Sequence, residues 1–342
     1  MNNDIQSSIK IIDSTLRDGS HAIRHQLSRE AISAYCENVD GSGIHAVVVG
    51  HGNGLGASSI QVGLSAISDG EMLSAARASL KKTKLGAFFL AGFATIEDDL
   101  APALALGVDM VCVAAHCTEA DVTQQYISYL SERSVEVYGV LMMYHLTTKE
   151  VLLEEAKKMV SYGAQGILIM DSAGASTPPL VRETISHLVE HLDVPVGFHG
   201  HDNLAMAVGH SYMAIESGAT IIDGTTRGFG AGAGNCQLEA LVALLQKSGI
   251  PVDVDLYALL DASEDVVRGI MTKPQETDAI SIVSGMAGVF SGFKMPVLRA
   301  AERFGIDARD LFMELGKRKV VGGQEDIVIE VAMELAEKNA QK

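Results

Sequence analysis

The sequence predicts an α/β protein, a (β/α)8 TIM barrel with a C-terminal helical domain. Eight short, continuously apolar segments each precede a longer segment that can form a helix, which is the pattern of a parallel sheet built from βα units. The alternation ends near residue 254, and the rest of the chain has helical periodicity without strand-like segments. With 47% hydrophobic residues and 34 glycines, the chain fits a turn-rich globular protein with a large core.

The predicted strands are apolar along their length, as expected for strands that are buried on both faces of a parallel sheet. They cover residues 9–14, 46–50, 85–90, 110–114, 137–142, 166–170, 194–198 and 220–223. Eight βα units are the number found in a closed (β/α)8 barrel. A doubly wound open sheet stays an alternative, because hydrophobic periodicity does not show whether a sheet closes.

The chain is predicted to divide into a barrel over residues 1–254, which carries the active site, and a helical extension over residues 255–342. The expected helices of the extension cover residues 255–271, 277–286, 296–304, 308–317 and 324–338. In the last of them Ile327, Val331 and Leu335 recur at helical spacing. Such an apolar stripe indicates packing against other helices.

The composition excludes several classes of function. The 342 residues carry a formal net charge of −17 and no long basic run, which argues against a nucleic-acid partner. No apolar run reaches the length of a membrane span, and residues 1–4 do not begin an apolar leader. The four cysteines form no C-x-x-C pair, which indicates reduced thiols. We therefore expect a cytoplasmic protein with no membrane partner.

The segment D-S-T-L-R-D-G-S-H, residues 13–21, places polar side chains at the end of the first predicted strand. Arg17, Asp18 and His21 all fall within a few residues of that end. In (β/α)8 barrels the chemistry lies at the C-terminal ends of the strands and in the loops that follow them. We therefore treat these three residues as candidates for the active site.

A second polar segment, F-H-G-H-D, ends the seventh predicted strand and contains His199 and His201. Residues two apart on a strand point to the same side, so both imidazoles can face the barrel mouth. Together with Asp18 they would give two nitrogen ligands and one carboxylate ligand. This set suits Mn²⁺, Mg²⁺, Fe²⁺, Co²⁺ or Zn²⁺. The sequence thus predicts a divalent-metal site.

Other polar residues fall near predicted strand ends. Asp171 and Ser172 end the sixth strand and are candidates for orienting a substrate, whereas His116 and His145 could either line the mouth or be structural. The loop G-F-G-A-G-A, residues 228–233, matches a loose dinucleotide fingerprint, but it follows the eighth strand instead of opening a βαβ unit. We interpret it as a barrel loop near the substrate carboxylate.

The D-S-T-L-R-D-G segment resembles the strand-one signature of the metal-dependent lyases and synthases that include hydroxymethylglutaryl-CoA lyase, isopropylmalate synthase and 4-hydroxy-2-oxovalerate aldolase. The aldolase family is the closest of these, and the resemblance extends over nearly the whole chain. The segments that carry it are T-L-R-D-G-S-H-A-I-R-H-Q at 15–26, H-C-T-E-A-D-V at 116–122, L-M-M at 141–143, G-A-G-A-G-N at 230–235 and L-G-K-R-K-V-V-G-G-Q-E-D at 315–326.

The resemblance implies a carbon–carbon lyase that cleaves a 4-hydroxy-2-oxo acid, such as 4-hydroxy-2-oxovalerate, to pyruvate and an aldehyde. Asp18, His199 and His201 would hold the divalent metal, with Mn²⁺ expected first and Co²⁺ or Mg²⁺ as alternatives. The metal would act as a Lewis acid that stabilises the pyruvate enolate. Asn235 is a further candidate for supporting the metal or its water.

The same resemblance implies roles for residues beside the metal. His21 would take the proton from the 4-hydroxyl group, because a neutral imidazole is a suitable base near pH 7. Arg17 would bind the substrate and stabilise the developing oxyanion with a charge that does not titrate. Similar aldolases have tyrosine in a G-V-Y-S segment, where this chain has Phe290 in G-V-F-S. If Phe290 lines the substrate site, the barrel mouth is more apolar than in those aldolases, and selection for one configuration of the 4-hydroxyl group is relaxed. The alternative is that Phe290 only packs between helices.

Chains that resemble this one work beside an acylating aldehyde dehydrogenase. The resemblance therefore implies a heteromeric complex in aromatic hydrocarbon catabolism, in which the helical extension contacts the partner and covers the barrel mouth. Two alternatives stay open: an acyl-CoA-dependent Claisen-type synthase or lyase of the same superfamily, and a non-catalytic companion subunit of an aldehyde dehydrogenase. The continuous aldolase-like segments disfavour the first, and the joint presence of the candidate site residues disfavours the second.

Overall fold

The computed structural model describes residues 9–321 and 324–341 and contains a closed barrel of eight parallel strands. The strands follow one another around the barrel in chain order, and the first pairs with the eighth. They are β1 Lys10–Asp13, β2 Ala46–Val48, β3 Lys84–Leu90, β4 Met110–His116, β5 Glu136–Met142, β6 Ile167–Asp171, β7 Val196–Gly200 and β8 Ile221–Gly224. Closure confirms the predicted TIM barrel and excludes the open sheet, and each strand overlaps its predicted segment.

One helix follows each strand and packs on the outside of the barrel. These helices are α1 Arg29–Val39, α2 Asp69–Ser79, α3 Ala101–Ala105, α4 Gln124–Ser131, α5 Lys149–Ser161, α6 Pro178–His191, α7 Ala207–Glu216 and α8 Leu238–Lys247. Several begin at a serine or threonine whose hydroxyl accepts a backbone N–H, such as Ser28, Ser68 and Thr148.

Within residues 9–321 and 324–341, no helix is both long and apolar enough to cross a membrane. The expectation for residues 1–4 lies outside the described residues, as does part of the segment 315–326.

The N-terminal end of the barrel is closed by an ion cluster around Glu136. One carboxylate oxygen of Glu136 lies 2.8 Å from Lys10 Nζ, and the other lies 2.6 Å from Lys84 Nζ and 2.7 Å from His45 Nε2. Apolar side chains fill the interior above this cluster, including Phe88, Met110, Tyr138, Leu168 and Ile221. The barrel is therefore open to a ligand at its C-terminal end.

In the described part of the chain, six further helices follow the barrel. They are α9 Leu256–Ala262, α10 Arg268–Ile270, α11 Ala279–Ala287, α12 Lys294–Phe304, α13 Ala308–Lys317 and α14 Glu325–Ala340. Helices α11 to α14 share a separate apolar core that contains Val331, with Ile327 and Leu335 packed against it, so the predicted stripe is a packing face. In contrast, Leu259 of α9 belongs to the core of the barrel. The division at residue 254 stays a prediction, and this packing favours counting α9 with the barrel.

The extension is attached to the segment that follows β7. The hydroxyl of Thr277 donates to the carbonyl of Asp202 at 2.8 Å, and the hydroxyl of Ser291 donates to Oδ1 of Asn203 at 2.9 Å. The amide of Asn203 in turn donates to the carbonyl of Ser281 at 3.3 Å. Because Asn203 is buried, these bonds replace water that its amide would otherwise need. The extension is thus fixed beside the C-terminal mouth.

Candidate active site

The end of β1 turns sharply and presents Arg17 and Asp18 to the barrel axis. The carbonyl of Ser14 accepts both the Arg17 N–H at 3.0 Å and the Asp18 N–H at 2.8 Å. A short 3₁₀ helix, Asp18–Ile23, follows at once. The first strand therefore ends with both side chains buried, Arg17 at 3% and Asp18 at 2% exposure.

Asp18, His199 and His201 meet in the structure as predicted from the sequence. Asp18 Oδ2 lies 3.8 Å from His199 Nε2 and 3.9 Å from His201 Nε2, and the candidate ligand atoms all lie within 4.8 Å of one another. Each of the three side chains is buried. Among the described residues His199 Nε2 has no hydrogen-bond partner, which is unusual for a buried polar atom. Two imidazole nitrogens and one carboxylate fit a divalent cation.

The glycine-rich loop after β8 holds Asp18 and brings Asn235 to the same place. The N–H of Ala231 donates to Oδ1 of Asp18 at 2.9 Å, so the loop supports the candidate ligand more directly than it approaches a substrate. Asn235 forms an isolated backbone bridge with His201. Its buried Oδ1 and Nδ2 have no partner among the described residues. Asn235 is therefore placed to support a metal or its water.

Arg17 is held over the centre of the barrel by several contacts. Its Nη1 lies 2.8 Å from Asp18 Oδ2 and donates to the carbonyl of Gly52 at 3.2 Å. The guanidinium carbon lies 4.5 Å from the centroid of the Phe88 ring, a cation–π distance. Burial alone would raise the pKa of Asp18, but Arg17 and the neighbouring imidazoles hold that pKa well below its usual range. The Asp18 carboxylate is thus ionised and ready to bind a cation.

His21 lies beside this group as a neutral imidazole. Burial lowers the pKa of the His21 imidazole to about 4, and the positive charge of Arg17 acts in the same direction although Asp18 opposes it. Gly52 packs so closely on the ring that a Cβ there would lie only 2.4 Å from His21 Nε2. The edge of the His21 ring also contacts His25, with ring centroids 5.0 Å apart. The orientation of His21 is therefore set by its neighbours.

Two neighbouring cavities adjoin these residues. A small chamber of about 20 Å³ is lined by Arg17, Asp18, His21 and His201, among others, and a cavity of about 360 Å³ lies next to it. The wall shared by the two cavities consists of Asn53, Leu90, Met142 and Phe290. Phe290 thus lies at the mouth of the chamber, and the larger cavity beyond it is mainly apolar.

The structure does not bring Asp171 and Ser172 to this chamber. The carboxylate of Asp171 is fully buried and accepts the backbone N–H groups of the following loop at 2.9 and 3.0 Å. Ser172 is also fully buried, and its hydroxyl contacts backbone groups of Met143 and Met170. We therefore do not retain either residue as a substrate contact, because their polar atoms are already engaged in shaping the turn after β6.

The structure places His116 and His145, which the sequence left between two alternatives, in different surroundings. His116 lines the larger cavity. The His145 side chain contacts the extension instead, with its Nε2 3.1 Å from the carbonyl of Gly288. His116 therefore fits the mouth-lining alternative, and His145 fits the structural one.

One buried carboxylate was missed by sequence reasoning. Asp223, near the end of β8, lies with its Oδ2 2.9 Å from His199 Nδ1 and 3.9 Å from Arg17 Nη2. Its sequence context, an aspartate directly after Ile221 and Ile222, differs little from any strand end. The available signal was its position at the C-terminal end of a predicted barrel strand.

The fold and this site define a protein of the HMGL-like class of TIM-barrel proteins with a candidate metal centre. The sequence model of the HMGL-like family matches residues 8–266, and that of the DmpG-like communication domain matches residues 275–337. The chain belongs, more specifically, to the family of 4-hydroxy-2-oxovalerate aldolases, which are carbon–carbon lyases. The predicted resemblance is confirmed.

The relatives cover almost the entire chain. A 4-hydroxy-2-oxovalerate aldolase from Pectobacterium atrosepticum is 52% identical over 331 residues, which is 97% of this chain and 96% of that protein. The corresponding protein from Spirochaeta aurantia is 51% identical over 98% of each chain. Among solved structures, the carboxyl transferase domain of Rhizobium etli pyruvate carboxylase superposes with a TM-score of 0.79 at 15% identity, covering 98% of this chain and 61% of that one. The last similarity concerns the fold alone.

Proposed function

We propose that this protein cleaves a 4-hydroxy-2-oxo acid to pyruvate and an aldehyde, with 4-hydroxy-2-oxovalerate as the first substrate to test. The relatives at about 50% identity carry the name of that reaction. The single observation that supports the proposal most strongly is the meeting of Asp18, His199 and His201 beside a small chamber whose lining includes Arg17 and the neutral His21. An acyl-CoA-dependent condensation is disfavoured, because the identity to aldolases is continuous over both parts of the chain.

We propose that Asp18, His199 and His201 hold a divalent metal, with support from Asn235. The unpartnered His199 Nε2 and the unpartnered Asn235 amide support this assignment, since buried polar atoms without partners indicate a missing ligand. We expect Mn²⁺, with Co²⁺ or Mg²⁺ as alternatives, because the mixed nitrogen and oxygen donors contain no thiolate. A bound cation supplies a Lewis acid at the 2-oxo acid group.

The residues around the ligand set account for the rest of the proposed chemistry. His21, neutral at pH 7 because burial lowers its pKa to about 4, accepts the proton of the 4-hydroxyl group as the C3–C4 bond breaks. Arg17 binds the oxygen atoms of the 2-oxo acid and stabilises the negative charge that develops on the keto oxygen. Its contacts with Asp18 and the Gly52 carbonyl hold the guanidinium in place before the substrate arrives.

Phe290 is proposed to contact the aldehyde half of the substrate. It stands where similar aldolases have tyrosine, and it lines both the chamber and the larger cavity. Without a hydroxyl group at this position the mouth offers one hydrogen bond fewer to the substrate. We therefore expect weaker selection between the two configurations at C4, and good acceptance of apolar aldehydes.

We further propose an acylating aldehyde dehydrogenase as the protein partner, in an oligomeric complex. The match to the DmpG-like communication domain supports a role of residues 275–337 in partner contact. The hydrogen bonds from Thr277 and Ser291 to the segment after β7 would transmit the position of this domain to the mouth of the barrel. All four cysteines are free, which supports the proposed cytoplasmic location.

The decisive experiment measures pyruvate release from several 4-hydroxy-2-oxo acids by the purified protein after chelation and after addition of Mn²⁺, Co²⁺ or Mg²⁺. We expect activity to disappear with chelation and to return with a divalent cation. Addition of acetyl-CoA and pyruvate provides the control for the condensation alternative. Full activity of demonstrably metal-free protein would contradict the metal-dependent mechanism, and release of free CoA without aldol cleavage would favour the synthase.

A further inference from the structure

Asp223 is a buried carboxylate that adjoins both halves of the proposed active site. It is only 3% exposed. Its Oδ2 lies 2.9 Å from His199 Nδ1, and the same oxygen lies 3.9 Å from Arg17 Nη2. Asp223 itself lines neither cavity. It is therefore placed behind a candidate metal ligand and behind the arginine, outside the space that a substrate would occupy.

The position of Asp223 relative to His199 is fixed by the sheet. In the parallel pairing of β7 and β8, His199 and Asp223 are direct Cα partners. Both residues lie within strands, before the loops of the mouth begin, so backbone hydrogen bonds of the barrel set the spacing of their side chains. The contact between Asp223 and His199 therefore depends on the pairing of β7 and β8 as well as on the side-chain rotamers.

The contact determines which nitrogen of His199 carries the proton. A carboxylate only accepts hydrogen bonds, so its contact at 2.9 Å places a proton on Nδ1 of His199. Nε2, which is directed toward Asp18 Oδ2 at 3.8 Å, is then the nitrogen left to bind a cation. A carboxylate behind a ligating histidine orients the ring and raises its basicity as a ligand.

The second contact concerns Arg17. Its Nη1 is engaged by Asp18 and the Gly52 carbonyl, whereas Nη2 lies near Ser14 Oγ, at 3.4 Å, and near the Asp223 carboxylate. The two carboxylates therefore flank the guanidinium from opposite ends. Asp18 is also a candidate metal ligand, so Asp223 is the acidic partner that remains for Arg17 when Asp18 serves the cation.

We propose that Asp223 is a positioning residue that fixes the metal-binding tautomer of His199 and the orientation of Arg17. This inference rests on the proposed metal site. It assigns a function to a carboxylate that touches neither the substrate nor the cation. Its loss changes metal affinity through His199, and changes turnover at saturating metal through Arg17.

The isosteric variant Asp223→Asn provides the sharpest test. The amide of the variant can donate a hydrogen bond to His199 Nδ1, and the ring proton then lies on Nε2. A proton on Nε2 opposes metal binding at that nitrogen. The Asp to Asn change in serine proteases has the same wrong-tautomer effect. We expect Mn²⁺ affinity, measured by electron paramagnetic resonance titration, to fall about 10- to 100-fold. Asp223→Ala should weaken Mn²⁺ binding less than Asp223→Asn, although it removes more packing.

The measurements separate positioning from packing. If Asp223 only filled space, Asp223→Asn would keep the Mn²⁺ affinity and turnover of the parent, and that result would overturn the proposal. At Mn²⁺ concentrations that saturate the variant, kcat should stay below the parent value because Arg17 has lost the carboxylate beside its Nη2 and keeps only Asp18. Recovery of the full kcat at saturating Mn²⁺ would refute the Arg17 part.

Two controls complete the design. Glu155→Gln changes another buried carboxylate, which accepts the Ala120 N–H and pairs with Lys158 on the outside of the barrel, and it should leave Mn²⁺ affinity unchanged. Thermal unfolding of each variant shows that the barrel is intact, and Asp223→Asn decides the question if Asp223→Ala does not fold. Failure of the parent itself to bind Mn²⁺, Co²⁺ or Mg²⁺ would refute the proposed metal site, a result distinct from equal binding by parent and variant.

Discussion

Gly52→Ala is expected to disable His21 without disturbing the fold or the metal ligands. Gly52 lies against the imidazole, and a Cβ built on it would meet three ring atoms of His21 at 2.4, 2.5 and 2.6 Å. Gly52 does not need the left-handed backbone region, so alanine adds no backbone strain there. The carbonyl that accepts the Arg17 hydrogen bond is also retained in the variant.

The size of the effect follows from these distances. Ordinary van der Waals contact begins at 3.4 Å, so the ring must move by about 1 Å, from the difference 3.4 − 2.4. A displacement of about 1 Å in a reacting group can cost about 10²-fold in rate. The added methyl group overpacks the site, which typically costs about 1–3 kcal/mol and outweighs the usual gain of about 0.4–1 kcal/mol from replacing glycine by alanine. We therefore expect a large loss of kcat together with a small decrease in thermal stability.

The assay compares kcat, bound Mn²⁺ and the unfolding temperature for the parent, Gly52→Ala and Gly70→Ala. Gly70 is exposed in α2, and its added Cβ would meet nothing closer than Leu106 at 3.9 Å, so this variant should behave as the parent. A Gly52→Ala protein with parental kcat would show that the His21 ring does not have to stay where the structure places it. That result would remove His21 from the proposed mechanism.

Four further changes test other parts of the site and the barrel. His199→Ala should lower Mn²⁺ content and turnover by orders of magnitude; unchanged metal stoichiometry would show that another residue is the ligand. His21→Ala should slow cleavage about 10²- to 10⁴-fold while Mn²⁺ binding persists, and pyruvate proton exchange that survives in this variant would place His21 at the hydroxyl group. Phe290→Tyr should change the ratio of rates for the two C4 enantiomers up to about tenfold, because one hydrogen bond contributes about 0.5–1.5 kcal/mol; identical ratios would exclude Phe290 from the substrate site. Burial would raise the pKa of Glu136, but hydrogen bonds from His45, Lys10 and Lys84 hold that pKa well below its ordinary value. The ionised Glu136 therefore stabilises the folded protein above about pH 4.5, and this contribution is lost as the pH falls toward the pKa of the folded state. Glu136→Gln should therefore be less stable than the parent at pH 7, with a difference that shrinks on acidification in urea unfolding; a pH-independent difference would argue against this ionisation.

The sequence was sufficient to predict the barrel and the meeting of Asp18, His199 and His201, because apolar strand segments and polar residues at strand ends can be recognised locally. The apolar segments defined the strands, and the alternation H-x-H at a strand end placed His199 and His201 on one side. Asp223 was not predictable in this way. Its contact with His199 depends on the register between β7 and β8, and no motif in the sequence links the two residues. Asp171 shows the opposite error. It ends a strand as Asp18 does, but the following turn directs its carboxylate to backbone N–H groups.

Contacts between segments that are distant in sequence could not be predicted from local patterns either. The tight contact between Gly52 and His21 joins the loops after two different strands, and neither segment alone indicates it. The position of Phe290 at the chamber mouth depends on how the extension folds back on the barrel. Sequence reasoning could name the residue only from its departure from similar aldolases, and left packing between helices as an equal alternative.

The attachment of the extension next to β7 has a consequence for building chimeric enzymes. Asn203 lies two residues beyond His201, and its buried side-chain amide is satisfied by Ser281 and Ser291 of the extension. A barrel transplanted onto a foreign helical domain would leave that amide without partners unless the new domain supplied equivalent groups. Loss of such a partner costs about 1–3 kcal/mol at a buried site, and here the cost falls beside the histidine pair. A helical domain exchanged between relatives therefore has to carry Thr277, Ser281 and Ser291, or groups equivalent to them, together with the core that α11 shares with α12 to α14.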